Sequence, residues 1–255
     1  ASFIPKENIF IVTSDEYVSI VQQQLGGLAA ENILAEPSRK NTAPCIAYGS
    51  MKIADLNPDA VIVVAPSDHT IARQQDFIAA IEQSMQAAAN NSCLITLGIK
   101  PNRPDTGYGY IQYNEELLPS DNEIHKVKTF TEKPNLELAQ SFIQSGDFLW
   151  NAGIFIWSAK AINKSFEQHL PDMHEIFVQG KNLYNTTNEV QFIANAYLQC
   201  TNISIDFGIM EKADNVYVLP ADFGWSDLGT WASIYEMAEK DYVGNAVIPS
   251  EQVMM

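Results

Sequence analysis

Apolar positions along this chain repeat at two different spacings, and the switches between them lay out the predicted elements. Asn8-Ile-Phe-Ile-Val-Thr13 and Asp59-Ala-Val-Ile-Val-Val-Ala65 are short, β-branched runs bounded by polar or turn residues. Both read as strands, the second as one buried on both faces of a parallel sheet. Cys93–Ile99 is a third strand of the same kind. Around them the spacing is helical: Glu16–Leu25, ended by Gly26-Gly27, then Thr42–Asp55, then Ala72–Ala89, closed by Asn90-Asn91. This alternation predicts an α/β fold, a Rossmann-like, mostly parallel sheet flanked by helices. From Tyr108 the texture changes. Strand patterns at Tyr108–Tyr113, Glu123–Phe130 and Gly153–Trp157 come closer together, separated by short helices at Leu136–Ser145, Ala159–Gln168 and Glu189–Gln199. They predict a smaller mixed-sheet subregion that builds a ligand pocket onto the parallel core. A helix follows Trp231, and Val243–Ile248 opens a tail. Residues 1–240 are expected to form one domain and 241–255 the tail.

Composition narrows the function. The 255 residues are 46% hydrophobic, enough for a sizeable core, and carry a formal net charge of −16. That charge argues against nucleic acid or an anionic membrane as a partner. An anionic small substrate would need local neutralisation, so a divalent cation is expected. No apolar run approaches the roughly 18 residues of a membrane span, and no secretory pattern opens the chain. Cys45, Cys93 and Cys200 are far apart and odd in number. They read as buried free thiols in a reducing cytoplasm, the expected location.

Two segments carry candidate chemistry. Asp222-Phe-Gly-Trp-Ser-Asp-Leu-Gly-Thr-Trp231 places Asp227 between glycines, on a loop expected to be stiffened by two core tryptophans. Ala65-Pro-Ser-Asp-His69 places Asp68 just beyond a strand end, where ligands bind in open α/β sheets. Two carboxylates on separate strand-end loops suit Mg²⁺ when phosphates complete its shell. A second reading has Asp68 capping a helix that begins near Ala72. No Walker sequence is present, and Gly107-Tyr-Gly109 lacks the third glycine of a dinucleotide fingerprint. The chain runs from Ala1-Ser-Phe-Ile-Pro5 straight into a strand, so an N-terminal strand, loop and helix of roughly 30 residues is expected to be absent.

Seven segments, in order, are Glu36–Pro44, Pro66–His69, Thr106–Ile111, Phe130–Pro134, Trp150–Phe155, Ser204–Lys212 and Gly224–Gly229. With them nearly the whole chain resembles the nucleotidyltransferase domain of mannose-1-phosphate guanylyltransferases, within the sugar-nucleotide pyrophosphorylases. The resemblance implies transfer of GMP from GTP to mannose 1-phosphate, giving GDP-mannose and pyrophosphate. It implies Asp68 and Asp227 as Mg²⁺ ligands and Lys133 on the sugar phosphate. It implies Glu132 and Asn151 on sugar hydroxyls, with Gly107, Tyr108 and Gly109 shaping the sugar site. Glu36 is expected to read the base, with Asn41 and Thr42 nearby: guanine offers adjacent N1–H and N2–H donors that one carboxylate can accept, whereas adenine N1 is an acceptor. Asp206, Glu211 and Lys212 are assigned supporting roles. The family's basic, Gly-rich phosphate loop has no counterpart here, so residues 1–255 alone are expected to bind GTP poorly. The alternatives are a pyrophosphorylase for another base or sugar, a metal-dependent glycosyltransferase, which the lack of an Asp-x-Asp pair disfavours, and a non-catalytic sugar-nucleotide-binding module. A homodimer is left open.

Overall fold

The computed structural model describes residues 3–119, 121–229 and 231–246, so the end of the predicted tail, from 247 on, lies outside the described residues. The strands are β1 (Ile11–Ser14), β2 (Ile33–Glu36), β3 (Val61–Val64), β4 (Thr70–Ile71), β5 (Leu94–Ile99), β6 (Tyr110–Leu117), β7 (His125–Thr131), β8 (Phe148–Ser158), β9 (Val216–Ala221) and β10 (Trp225–Ser226). The α-helices are α1 (Val18–Gln24), α2 (Thr42–Leu56), α3 (Gln74–Asn90), α4 (Leu136–Ser145), α5 (Ala159–His169), α6 (Pro171–Val178), α7 (Glu189–Gln199) and α8 (Trp231–Met237).

β8 organises the molecule. Its side chains alternate as a strand must. Phe155 and Trp157 join the core formed with α2, α5, α6 and α7, whereas Ala152, Ile154 and Ile156 join the core formed with α3. The strand is therefore covered by helices on both faces, which explains its nearly unbroken apolar sequence. Its C-terminal half lies between β3 and β5, with Phe155 opposite Val64 on one side and Thr96 on the other. Its N-terminal half pairs with β6, Trp150 opposite Tyr110.

The α/β class stands, but the pairing corrects the mostly parallel expectation. Only β1–β2 and β5–β9 are parallel neighbours among the described strands. β3–β8, β5–β8, β6–β7, β6–β8, β7–β9 and β4–β10 are antiparallel. The reason is insertion: β3, β5 and β9 run the same way, but β8 returns between β3 and β5. An apolar run shows that a strand is buried and does not show which neighbours it takes. The order β3-β8-β5-β9-β7-β6 closes through the β8–β6 pairing, so β8, β5, β9, β7 and β6 form a ring of hydrogen-bonded strands. β3 sits at the edge of this sheet. Only Ile62 of its four residues is buried, which corrects its expected burial on both faces.

The starts of α2 and α3 differ in capping. Asn41, at φ 68°, precedes α2 and accepts a hydrogen bond from Thr42 N at 2.9 Å. Arg73 precedes α3 without a side-chain cap, so Asp68 does not cap that helix and is left for other work. Among the described residues, no helix is long and apolar enough to cross a membrane.

Candidate active site

The two predicted metal acids leave different strand ends and are drawn together by a small ladder. Beyond β3, Pro66-Ser-Asp-His69 leads into β4, which pairs antiparallel with β10, Thr70 opposite Ser226 and Ile71 opposite Trp225. Asp68 lies two residues before one strand and Asp227 directly after the other. Gly224 makes the approach possible: its φ is +66°, and a Cβ there would meet the Ala72 Cβ at 2.7 Å. Trp225 Nε1 donates to His69 Nδ1 at 3.1 Å, which makes Nδ1 the acceptor and puts the imidazole proton on Nε2, 3.9 Å from Asp68 Oδ1. Burial holds His69 below the ordinary histidine range, and the charges of both Asp68 and Asp227 act on it in the opposite direction. The ring thus lies within reach of the charges of both carboxylates. Asp68 is 84% exposed at its side chain, open to a ligand.

The aromatic anchoring is corrected in part. Trp225 is half-buried, with its ring centroid 5.3 Å from that of Tyr108, but Trp231 is 86% exposed and anchors nothing. Trp231 opens α8 and points away from the core, a direction that its size does not reveal.

Tyr108-Gly109 is the hub of the site. The Tyr108 hydroxyl donates to Asp227 Oδ1 at 2.6 Å, and Gly229 N donates to the same oxygen at 3.0 Å. Tyr108 O accepts from Lys133 N at 3.2 Å, and Gly109 O accepts from Asn151 N at 2.8 Å. A Cβ on Gly109 would meet Glu132 Oε2 at 2.6 Å and Asn151 Cβ at 3.3 Å, so a larger residue here would displace the Glu132 carboxylate. One dipeptide therefore links Asp227, one of the two predicted metal acids, to the predicted sugar residues. Gly107, just before it, donates its N–H to Asp105 Oδ1 at 2.9 Å.

Around that hub Glu132, Lys133, Asn151 and Asp206 gather. Lys133 Nζ lies 2.8 Å from Glu132 Oε1. The Lys133 backbone is left-handed, at φ 47°, and Leu228 beside Asp227 is likewise, at φ 51°. Non-glycine residues reach this region rarely, and such outliers concentrate at functional sites. Asn151 is largely committed within the protein. Its Oδ1 accepts from Thr96 Oγ1 at 3.0 Å and Gly153 N at 3.1 Å, and its Nδ2 donates to Asp206 Oδ1 at 3.0 Å. Burial first, and the neighbouring Glu132 charge second, push the Asp206 carboxyl up to about 6. Asp206 opens a short π-helical turn, Asp206–Met210, a backbone form that often marks functional sites. Its hydrogen bond to Asn151 places it behind one of the predicted sugar residues. The available signal was a single acid inside the apolar run Ile203-Ser-Ile-Asp-Phe-Gly-Ile-Met210.

Glu36 ends β2, and Asn41 and Thr42 stand at the start of α2. The start of α2 connects to Asp206 through one segment: Ile203 N donates to Lys40 O, Ala43 N donates to Ile203 O, and Ile205 N donates to Thr42 Oγ1. Asp206 is the next residue. Burial raises the Glu36 carboxyl, and a hydrogen bond from Tyr197 to Oε1, at 2.9 Å, opposes that rise. A groove of about 620 Å³ on the α3 side, lined by Asp76, Gln83, Glu123, His125 and Asp222 among others, contains none of these residues. Its acids already have partners: Arg73 reaches both Asp76 and Asp222, and Gln83 donates to Glu123.

Two carboxylates on hard-oxygen loops fit an ion that keeps waters or phosphate oxygens as its other ligands. No cluster of three or more His, Cys, Asp or Glu side chains suited to a metal exists among the described residues, so a closed all-protein cage is not the model for this site. Residues 5–243 match the family model described as nucleotidyl transferase. A mannose-1-phosphate guanylyltransferase of Escherichia coli is 34% identical over 243 residues, covering 93% of this chain and 52% of that protein. A putative mannose-1-phosphate guanylyltransferase of Vibrio cholerae is 33% identical over 246 residues, covering 95% and 52%. The chain thus spans about half the length of the curated relatives it matches. A crystal structure from Thermus thermophilus, described as a mannose-1-phosphate geranyltransferase, superposes with a TM-score of 0.80 at 27% identity over 92% of this chain and 65% of that one. A Helicobacter pylori structure described as a mannose-6-phosphate isomerase has a TM-score of 0.71 at 23% identity, over 86% of this chain and 84% of that one, and speaks for the fold alone. With a family model matched from residue 5 to residue 243, on the fold and the loop acids just described, this chain belongs to the nucleotidyl transferase family.

Proposed function

We propose that the protein transfers the guanylyl group of GTP to mannose 1-phosphate. An oxygen of the sugar phosphate attacks the α-phosphorus, the bond from that phosphorus to the bridging oxygen breaks, and pyrophosphate leaves with its electron pair. Such chemistry needs positioning and charge stabilisation more than covalent help. The observation that carries the reading is the Tyr108-Gly109 hub, which joins the strand-end acid Asp227 to a compact Glu132–Lys133–Asp206 cluster.

The named relatives supply the choice of base and sugar, and the residues present are compatible with it. Lys133 is a compact cation for the sugar phosphate. Glu132 accepts sugar hydroxyls, with the spare Nδ2 hydrogen of Asn151 beside it and Gly107, Tyr108 and Gly109 as the wall. Glu36 accepts guanine N1–H and N2–H, with Asn41 and Thr42 bordering the base. Asp68 and Asp227 hold Mg²⁺, which, when bound, neutralises phosphate charge. The test is pyrophosphate release by the full-length protein. GTP with mannose 1-phosphate should be the preferred pair over ATP and over glucose 1-phosphate, and chelation should stop release. Tight binding of sugar nucleotide with no pyrophosphate formed would favour the binding-module alternative and overturn this reading.

A further inference from the structure

Tyr197 lies outside the seven segments that carry the family resemblance, yet its hydroxyl hydrogen-bonds to the Glu36 side chain. It is fully buried on α7, its ring edge-on to Phe177 at 6.1 Å. Its hydroxyl donates to Glu36 Oε1 at 2.9 Å. Glu36 itself is the last residue of β2, opposite Ser14, and leads into the loop Pro37–Asn41.

The helix that presents Tyr197 is fastened from its other end. Glu189, in the first turn of α7, is buried and takes Lys52 Nζ at 2.6 and 2.9 Å, Tyr48 Oη at 2.6 Å and Asn185 N at 2.6 Å. Lys52 and Tyr48 both belong to α2. Residues 189 and 197 are eight apart, just over two helical turns, and so share one stripe of α7. A buried, fully bonded charge cluster thus locks α7 onto α2, and the same stripe holds the Glu36 carboxylate. The locked body includes α2, whose first turn follows the Glu36 loop.

We propose that Tyr197 is a positioning residue for base specificity: it fixes the plane of the Glu36 carboxylate and thereby its ability to accept two donors side by side. This rests on the reading of Glu36 as the guanine acceptor. A carboxylate has about four lone-pair sites, so Tyr197 occupies one and leaves a site on each oxygen for the base. A freely turning carboxylate would meet one donor at a time, and the discrimination gained from an unpaired partner would fall. The hydroxyl also favours the ionised form, against burial. The titratable neighbours on the packed elements are Cys45 of α2 and Cys200 after α7. Burial pushes their thiols to about 12 and about 11, so both are neutral when Glu36 titrates, and Lys40 lies beside Cys200.

The experiment compares parent, Y197F, E36Q and the double variant of the full-length protein, using GTP, ITP and ATP. ITP lacks the 2-amino group and so offers one donor instead of two. Y197F should lower the GTP/ITP ratio of kcat/KM by roughly tenfold, the worth of one charge-assisted hydrogen bond. The loss should fall in KM with kcat nearly unchanged, and the acid limb of the GTP profile should move to higher pH. In the E36Q background Y197F should add nothing. If E36Q compresses the ratio and Y197F leaves it unchanged, Tyr197 is packing only and the proposal fails. A Y197F protein that does not fold has the same meaning. If E36Q itself leaves the ratio unchanged, the base is read elsewhere and the underlying reading of Glu36 is what has failed.

Discussion

Asp206 shows at the scale of one residue how a site charges its own stability. Its carboxyl is raised from 3.8 to about 6, first by burial and then by Glu132. The folded state therefore holds this proton more tightly than the unfolded chain does. Stability from this group is greatest below pH 4, falls as pH rises from about 4 to about 6, and stays low above that. The displacement corresponds to at most about 3 kcal/mol. D206N keeps an acceptor for Asn151 and removes the titration. Parent and D206N melting temperatures, measured from pH 4.5 to 7.5, should diverge, with the parent losing a few degrees relative to the variant as pH rises. Parallel curves would show that Asp206 is ionised at its ordinary pKa.

At the scale of elements, the β4–β10 ladder matters more than its two residues per strand suggest. It carries the Asp68 loop to the Asp227 loop across 159 positions of sequence, with Gly224 and the Trp225–His69 hydrogen bond closing the gap. On the proposed function, D68N and D227N should each lower turnover by roughly 10²–10³, the usual scale for losing a preorganised charge. Asn at 227 still accepts from the Tyr108 hydroxyl, so the loop should hold its shape and melting should change little. Activity within threefold of the parent for either variant would remove that acid from the metal role. This pairing was only half legible in advance. Each acid announced itself, one behind a strand and one between glycines, but strands of two residues leave no periodicity to read. A similar limit hid β2, whose four residues end in Glu36, while β9, which carries Pro220 near its end opposite Gly98, was not expected either.

The whole molecule is held together by a ring of strands and by helices on both sides of β8. β5 pairs with β8 and β9, and β8 carries core side chains on both faces. β1, by contrast, pairs among the described residues with β2 alone, and each of its four residues is only half-buried. Opening free energies span a wide range within one fold and follow such differences. Amide exchange should therefore be slowest in β5 and β8 and faster in β1 by roughly 10² or more. Equal protection in β1 and β5 would show that the molecule opens only as one unit.

The sequence by itself determined the class of fold, because alternating strand and helix periods leave few other ways to bury this much apolar surface. It also pointed to candidate residues: a carboxylate after a strand-stopping proline and another between glycines are legible as they stand, whereas Lys133 entered only through the resemblance. Only the tertiary structure decided how these are joined. β8 inserts between β3 and β5 and turns a parallel expectation into a mixed sheet. Tyr108 reaches Asp227 and not only a sugar wall, Asn151 spends its amide on Thr96, Gly153 and Asp206, and Tyr197 takes hold of Glu36 from a helix 161 positions away. The physical reason is the same in each case. Periodicity and local composition report what a residue wants to bury or hydrogen-bond, whereas its partner is chosen by long-range packing, which no local pattern encodes.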